Sequence, residues 1–497
     1  MSITGRRVIK LIFFFAALAL LWAGATCVLK EKFYFKIKIN SPETEIWKEF
    51  YGLEKNSLDV LFLGSSHVYN GINPVVFYEE TGMRGFDLSS SNQDVYLSYV
   101  YLQEALKYQK PEYVIMDAAM FNRGVFAEQK YYEMSFDSMK LSKLKIDSIR
   151  EWKHYVPQIR VQDRFVPLLA YHSRWEDLKS WDFSQKDLAT AINGYIPTSK
   201  SIELKKNAYD EGDPLWDVPP LTRSYFEKLS NLCFENDINL ILILIPDTTT
   251  RFGKTEAVKM LAWDYDLTCL DYNESERFDS LGLDVNRDFR DKGHLNSFGA
   301  EKFTKVLASD LQMYGGMFGK GDKERSDPHW KELSTEWQEA RDTLYLQVQD
   351  DMHEYLRRLE NSDYTVFVAI SDEGCAYLDE ELCLALRKLG FDADFENGYG
   401  KSFYGVSAKN KTCFEMSDSV LEASGRLDNG KYWEITSASL GAANEAGIDA
   451  TAVIKIGGVD HSLNGRGMNI VVYDEEKKEV VDCVCFDTDE EGIPSKR

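Results

Sequence analysis

Positive charge is scarce relative to its opposite. Lys and Arg number 58 against 81 Asp and Glu, a formal net charge of −23 over 497 residues. With no basic stripe to meet phosphates, nucleic acid is excluded as a partner. The eight cysteines include no Cys-x-x-Cys pair and join no His cluster at ligand spacing, so no metal site is expected and no cofactor is required. Eight in 497 is also too few for a disulfide scaffold, although an exported chain could carry disulfides. Cys483 and Cys485 are two apart and share a face if they lie on a strand. Internal repeats are absent. What remains is 44% hydrophobic and 13% aromatic, a globular composition that excludes wholesale disorder, collagen and a polytopic membrane protein. The length suggests more than one domain.

The N-terminus carries Arg6, Arg7 and Lys10 and then an uncharged apolar run from Leu11 to Leu29. At about 1.5 Å per residue the run rises about 28 Å, close to the ~30 Å core of a bilayer. The flanking cations keep this end in the cytoplasm and send the chain beyond Lys30 outside. The rival is a signal peptide cleaved at Ala23-Gly24-Ala25. Both readings place the body outside the cytoplasm.

Short apolar runs at Leu58–Leu63, Tyr113–Met116 and Ile238–Ile245 read as buried parallel strands. They alternate with helical periodicity at Tyr96–Tyr108, Tyr225–Phe234 and Ala300–Leu311. Chemistry is then expected at the strands' carboxyl ends. Between about Tyr131 and Pro220 aliphatic runs thin out and Trp152, His154, Tyr155, Trp175, Trp181 and Trp216 appear, which reads as a mostly helical insertion. Its aromatics serve either as its own core or as platforms for sugar rings. Gly315–Gly321 reads as a boundary, followed by a connecting helix to about Leu359. Strands are expected again at Thr365–Ile370, Lys431–Ser437, Ala452–Ile456 and Asn469–Tyr473, with a helix at Asp379–Leu389 and a frayed tail after Thr488.

Two blocks carry chemistry. The first strand ends in Leu63-Gly64-Ser65-Ser66-His67, where a serine at a sharp strand-to-helix turn exposes its hydroxyl beside backbone N–H groups. Asp288-Phe289-Arg290-Asp291-Lys292-Gly293-His294-Leu295-Asn296 precedes the last helix of this domain. An aspartate three residues before a histidine can orient its ring, and the histidine can take a proton from the serine. Asp247 lies on the same edge by topology and also fits a turn after Pro246.

This pair of blocks resembles the SGNH (GDSL-like) hydrolase superfamily, and within it the membrane-anchored proteins that modify surface polymers, as in alginate acetylation and teichoic acid D-alanylation. The likeness covers roughly Lys55 to Leu311. It implies a flavodoxin-like three-layer α/β domain with Ser66 as nucleophile, His294 as general base and acid, and Asp291 orienting it. Ser65 stands where the family has Asp. Asp87-Leu88-Ser89-Ser90-Ser91-Asn92 occupies the second block, with serine in place of glycine, and Asn122 is the best match to the third-block asparagine. The implied oxyanion donors are Ser66, Ser91 (or Ser90) and Asn122. His67, one residue beyond the nucleophile, either reaches the substrate or is structural, and Asn92 is placed at the substrate.

Later segments, Tyr364–Gly374, Leu378–Gly390, Tyr404–Ala408 and Gly465–Thr488, resemble the interleukin-like EMT inducer domain in permuted order. That resemblance implies a β-rich α+β sandwich that binds sugar without catalysis, with Arg466 and Asn469 either contacting sugar or holding a turn.

The expected organisation is an anchor or signal at 1–30, an SGNH-like α/β domain at 31–315 with its insertion at about 131–220, a linker and helix at 316–362, the sugar-binding-like domain at 363–489, and a tail at 490–497. The expected function is extracytoplasmic O-acyl transfer or ester hydrolysis on a surface or extracellular glycan, without a cofactor, with a membrane-bound O-acyltransferase as partner. The alternative is a catalytically silent glycan-binding or assembly protein on the same scaffold. Overall acidity favours a neutral or cationic glycan.

Overall fold

The computed structural model describes residues 3–29, 42–165, 168, 171–178, 192–206, 209–314, 327–360, 362–409 and 411–497. The chain divides into two compact units, Met1–Trp337 and Gln338–Arg497.

In the first unit five strands form one parallel sheet in the order β2-β1-β3-β4-β5: β1 Val60–Gly64, β2 Gly85–Ser89, β3 Tyr113–Asp117, β4 Asn239–Leu244 and β5 Cys269–Asp271. This is the doubly wound flavodoxin order, with a switch point between β1 and β3. The strands are unbroken apolar runs because both faces are covered. On one face Leu61, Leu63, Leu88 and Met116 pack against α2 (Pro42–Gly52), α5 (Val95–Ala105), α9 (Pro220–Glu235) and α10 (Phe252–Asp264). On the other, Val60, Phe62, Ile115 and Ile243 meet α3 (Ser66–Gly71), α4 (Pro74–Thr81), α11 (Ser275–Ser280) and α12 (Ser297–Met313). Ahead of them all, α1 (Ile3–Leu29) contains a 21-residue stretch long and apolar enough to cross a membrane or to be a signal sequence.

The insertion forms α6 (Gln129–Ser138), α7 (Lys143–Tyr155) and α8 (Val161–Phe165). Its aromatics do not make a separate core. Tyr132, Phe136 and Trp152 join the cluster built on Tyr96 and Tyr225, so they thicken the helical layer over the sheet. Trp175 and Trp216 are exposed. Trp181 and the Gly315–Gly321 boundary lie outside the described residues.

The expected single connecting helix is two, α13 (Pro328–Leu346) and α14 (Met352–Glu360). The break comes from capping: the Asp351 carboxylate accepts the Glu354 N–H at 2.9 Å and starts a new helix. The second unit then builds a 10-stranded sheet. Its strands are β8 (Thr365–Asp372), β9 (Ser402–Ala408), β10 (Lys411–Ser417), β11 (Leu421–Arg426), β12 (Tyr432–Ser439), β13 (Thr451–Ile456), β14 (Val459–Asp460), β15 (Gly467–Asp474), β16 (Glu479–Phe486) and β17 (Ser495–Lys496). The main path runs β14-β13-β12-β8-β15-β16-β17, with β9 added to β8, β10 to β9 and β11 to β12. Helices α14 and α15 (Glu380–Lys388) cover one face through Tyr355, Leu356, Leu382 and Leu386. The opposite face holds Phe367, Trp433, Ile435 and Ile454, and a short α16 (Leu440–Ala446) comes after β12.

The tail is not frayed. Ser495 and Lys496 pair with Phe486 and Cys485, and the Arg497 guanidinium donates to the carbonyls of Leu346 at 3.0 Å and Gln349 at 2.7 Å. An arginine on the open carbonyls of a helix C-terminus is a favourable end to the chain.

Candidate active site

β1 ends at Gly64, whose backbone sits at φ 152 and whose missing Cβ would lie 2.7 Å from Val68 Cγ2 and 3.0 Å from Asp117 Cβ. Only a glycine lets the chain turn that tightly from strand into helix. Ser65 is the N-cap of α3 and Ser66 its first residue, so the Ser66 N–H is one of the donors that a helix leaves without an internal acceptor. At the other end of the site, β6 (Phe289–Asp291) and β7 (His294–Leu295) form a short hairpin, and Asn296 caps α12 by accepting the N–H groups of Phe298 and Gly299 at 3.1 Å.

These two turns bring together residues 228 apart in sequence: Ser66 Oγ lies 2.7 Å from His294 Nε2. His294 Nδ1 is 2.7 Å from Asp291 Oδ1, which also accepts the Gly293 N–H at 3.0 Å. Burial alone would raise the Asp291 carboxyl. The hydrogen bond and charge of His294, the Gly293 N–H and the Arg290 guanidinium outweigh it and hold the group at about 2. The carboxylate is therefore ionised whenever the imidazole needs orienting.

Sequence reasoning missed a second line of support. Asn70 Nδ2 donates to the Ser66 carbonyl at 2.7 Å, Arg290 donates to Asn70 Oδ1 at 2.9 Å, and Arg290 Nε lies 3.5 Å from Asp291 Oδ2. The backbone of the serine turn is thus tied to the carboxylate of the histidine turn. The available signals were position four after Ser66 on a helix and adjacency to Asp291.

The remaining expected residues divide. The Ser91 hydroxyl is 3.1 Å from the Tyr69 hydroxyl, and Tyr69 belongs to the same helix as Ser66. Ser90, just past the end of β2, is buried and its hydroxyl donates to Gln93 Oε1 at 2.9 Å. Asn92, in left-handed backbone at φ 50, accepts from Arg123 at 3.2 Å. Asn122 and His67 line a common cavity of about 290 Å³. The His67 ring meets that of His294 edge-on, with centroids 5.2 Å apart. Burial lowers its imidazole to about 3; Asp247 and Asp291 draw it up, and His294 and Lys254 push it down. Asp247 accepts the N–H groups of Thr249 and Thr250 at 2.6 Å, the capped turn expected after Pro246.

Arg466 and Asn469 lie in the second unit. Arg466 is exposed and paired with Asp487, Asp489 and Glu490. Asn469 has no exposed surface; its amide accepts the Gly465 N–H and donates to the Gly465 and Gly467 carbonyls. Of its two expected roles, the amide performs the turn-holding one. None of the eight cysteines is in a disulfide.

No family profile and no curated protein matches the chain. Among solved structures it is similar to a chain from Bacteroides fragilis NCTC 9343 described only as a candidate acylhydrolase. That match has 13% identity and a TM-score of 0.26, and covers 54% of this chain and 93% of the other.

Proposed function

We propose that the first unit is an SGNH-type serine acyl hydrolase or acyltransferase, held outside the cytoplasm and acting on an O-acylated glycan. One observation carries this reading: the unbroken Ser66–His294–Asp291 relay, 2.7 Å at each step, at the carboxyl end of β1. His294 Nε2 takes the Ser66 hydroxyl proton as Oγ bonds to the acyl carbonyl carbon. The oxyanion that forms meets the Ser66 N–H, with Ser91 and Asn122 as the further donors. The proton then passes from Nε2 to the leaving oxygen, whose bond to the acyl carbon breaks, and an acyl-serine remains. An acceptor, water or a sugar hydroxyl, gives its proton to His294, bonds to the acyl carbon and releases Ser66.

The second unit serves in this proposal as a sugar-binding module that holds the polymer near the site. A membrane-bound O-acyltransferase supplies the acyl group. A fluorophosphonate probe is expected to label the wild-type protein and not Ser66→Ala, with both variants folded by circular dichroism. Absence of label on the folded wild type would instead favour the silent scaffold.

A further inference from the structure

Asp117 ends β3, beside β1 at the sheet's switch point, and its side chain is fully buried. Its Oδ2 and the Nδ1 of His67 are both buried, both lack a hydrogen-bond partner among the described residues, and lie 3.9 Å apart. Two such atoms facing each other form a second carboxylate–imidazole couple beside the one in the triad. A small rotation of the ring closes it, and a buried polar atom left unpaired is unfavourable. With Nδ1 turned to Asp117, Nε2 is the ring nitrogen left for a ligand; it lies 3.7 Å from where a Cβ on Gly293 would sit, and the residue lines the cavity.

That cavity, about 290 Å³, is bounded elsewhere by Trp216, Asp247, Thr249 and Lys254. Trp216 is 42% exposed. Its segment is nevertheless anchored: the Trp216 N–H donates to the Gly253 carbonyl at 3.0 Å, and a Cβ at Gly253 would sit 1.9 Å from the Pro214 carbonyl oxygen. An exposed indole fixed at a polar cavity's edge suits the apolar face of a sugar ring. The cavity's arginines are paired with carboxylates, Arg123 with Glu128 at 3.3 Å and Arg251 with Asp213 at 3.6 Å, and Lys254 stands opposite Asp247 and Asp117. It therefore has no surplus charge for an anion.

Resting on the serine-acyl reading above, we infer that this cavity is the acyl-acceptor subsite. A neutral sugar ring stacks on Trp216 and gives a hydroxyl hydrogen bond to the neutral His67 imidazole, whose tautomer Asp117 sets. A neighbouring hydroxyl of the ring attacks the acyl-serine carbonyl carbon and loses its proton to His294. The carbon–Oγ bond breaks and Ser66 regains its proton. The subsite thereby makes the protein a transferase, because a seated ring competes with water for the acyl group.

The couple is also pH-sensitive. Burial raises the Asp117 carboxyl to about 7 against Lys254 and the N–H groups of Ile245 and Ala119, with Asp247 raising it further. Above that pH Asp117 is a carboxylate that accepts from Nδ1–H and leaves the other nitrogen an acceptor. Below it, Asp117 donates to Nδ1 and the other nitrogen becomes a donor. Besides Asp117, the charged and titratable groups that act on His67 are Asp247, His294, Lys254 and Asp291. His294 serves water and sugar alike, so its protonation cancels in the ratio of the two products.

The test is the partition of acetyl between water and glycoside by the full-length protein in detergent, with p-nitrophenyl acetate as donor. Wild type is expected to acetylate methyl glucoside, with a transfer-to-hydrolysis ratio that rises as pH passes about 7. His67→Phe and Trp216→Ala are expected to lower the ratio roughly tenfold, and Asp117→Asn to abolish its pH dependence. The ratio is read per acyl-enzyme formed, so partial unfolding does not move it. Unchanged ratios in His67→Phe and Trp216→Ala, with hydrolysis intact, would overturn the subsite and leave the triad standing. Preference for methyl glucuronide over methyl glucoside would overturn the neutral ring. A wild type that neither hydrolyses the ester nor takes the fluorophosphonate would sink the serine reading itself.

Discussion

At the scale of single residues, the first unit holds buried carboxyls in opposite states. Asp291, half-buried and supplied with donors, is held at about 2, whereas burial raises Asp94 to about 6 and Asp117 to about 7. Asp87 is the extreme: it is fully buried, neither carboxyl oxygen has a hydrogen-bond partner among the described residues, and Glu49 lies close enough to raise it further. Burial, the larger cause, holds the carboxyl protonated well above its ordinary range. A carboxyl raised in the folded state contributes fully below its unfolded value of about 4, and that contribution is lost as pH rises toward the folded value. Wild type should therefore lose stability relative to Asp87→Asn as pH climbs from 4 to 8, whereas Asp94 and Asp117 act alike in both proteins and cancel. Urea midpoints of the first unit across that range provide the check. Parallel curves would mean that Asp87 does not carry this linkage.

At the scale of elements, the site depends on one turn. A Cβ at Gly64 would overlap Val68 of α3 and touch Asp117 at the end of β3, so Gly64→Ala must push the serine helix off the sheet edge. A displacement near 1 Å is enough to lower turnover about 100-fold, and over-packing there costs about 1–3 kcal/mol. Ester turnover and a thermal melt, measured together, decide this; unchanged turnover would mean that the turn has slack. This turn also shows what the sequence made legible. β1, β3 and β4 were visible because strands covered on both faces are continuous apolar runs, and Ser66, Asp291 and His294 because Ser66 sits in one short block and Asp291 and His294 in another. In the second unit β10 and β11 were not visible: Lys411–Ser417 has no buried position and Leu421–Arg426 only one, so neither shows a buried stripe. The single helix expected through Val348 failed because Asp351 restarts the helix, a capping effect that hydrophobic spacing does not register. The cavity beside His67 stayed hidden for a different reason. Its walls come from α3, the loops after β3 and β4, the start of α10 and the segment before α9, and no spacing in one stretch of sequence links Asn122, Trp216 and Lys254.

At the scale of the whole molecule, an N-terminal helix kept as an anchor and the acidic body would act against each other at an anionic membrane surface. The chain carries −23 overall, while Arg6, Arg7 and Lys10 are the only charged side chains within Met1–Leu29. Anionic lipid attracts basic segments by about 1 kcal/mol per Lys or Arg near the surface and repels acidic ones. Without its first 29 residues the chain has lost those three cations and the one helix, among the described residues, that is apolar enough to span a bilayer. If the helix is retained as an anchor, membrane association rests on it alone. Full-length protein should then float with vesicles of mixed neutral and anionic lipid at physiological salt, whereas a variant beginning at Lys30 should stay at the bottom of the gradient and keep its fluorophosphonate labelling at Ser66. Intact mass of the membrane-extracted protein separates anchor from signal: a chain that starts at Met1 has kept its helix, and one that starts after Ala25 has been processed. Flotation of the variant that begins at Lys30 would overturn the anchor as the sole attachment and point to a lipid-binding surface on the body, which its acidity argues against.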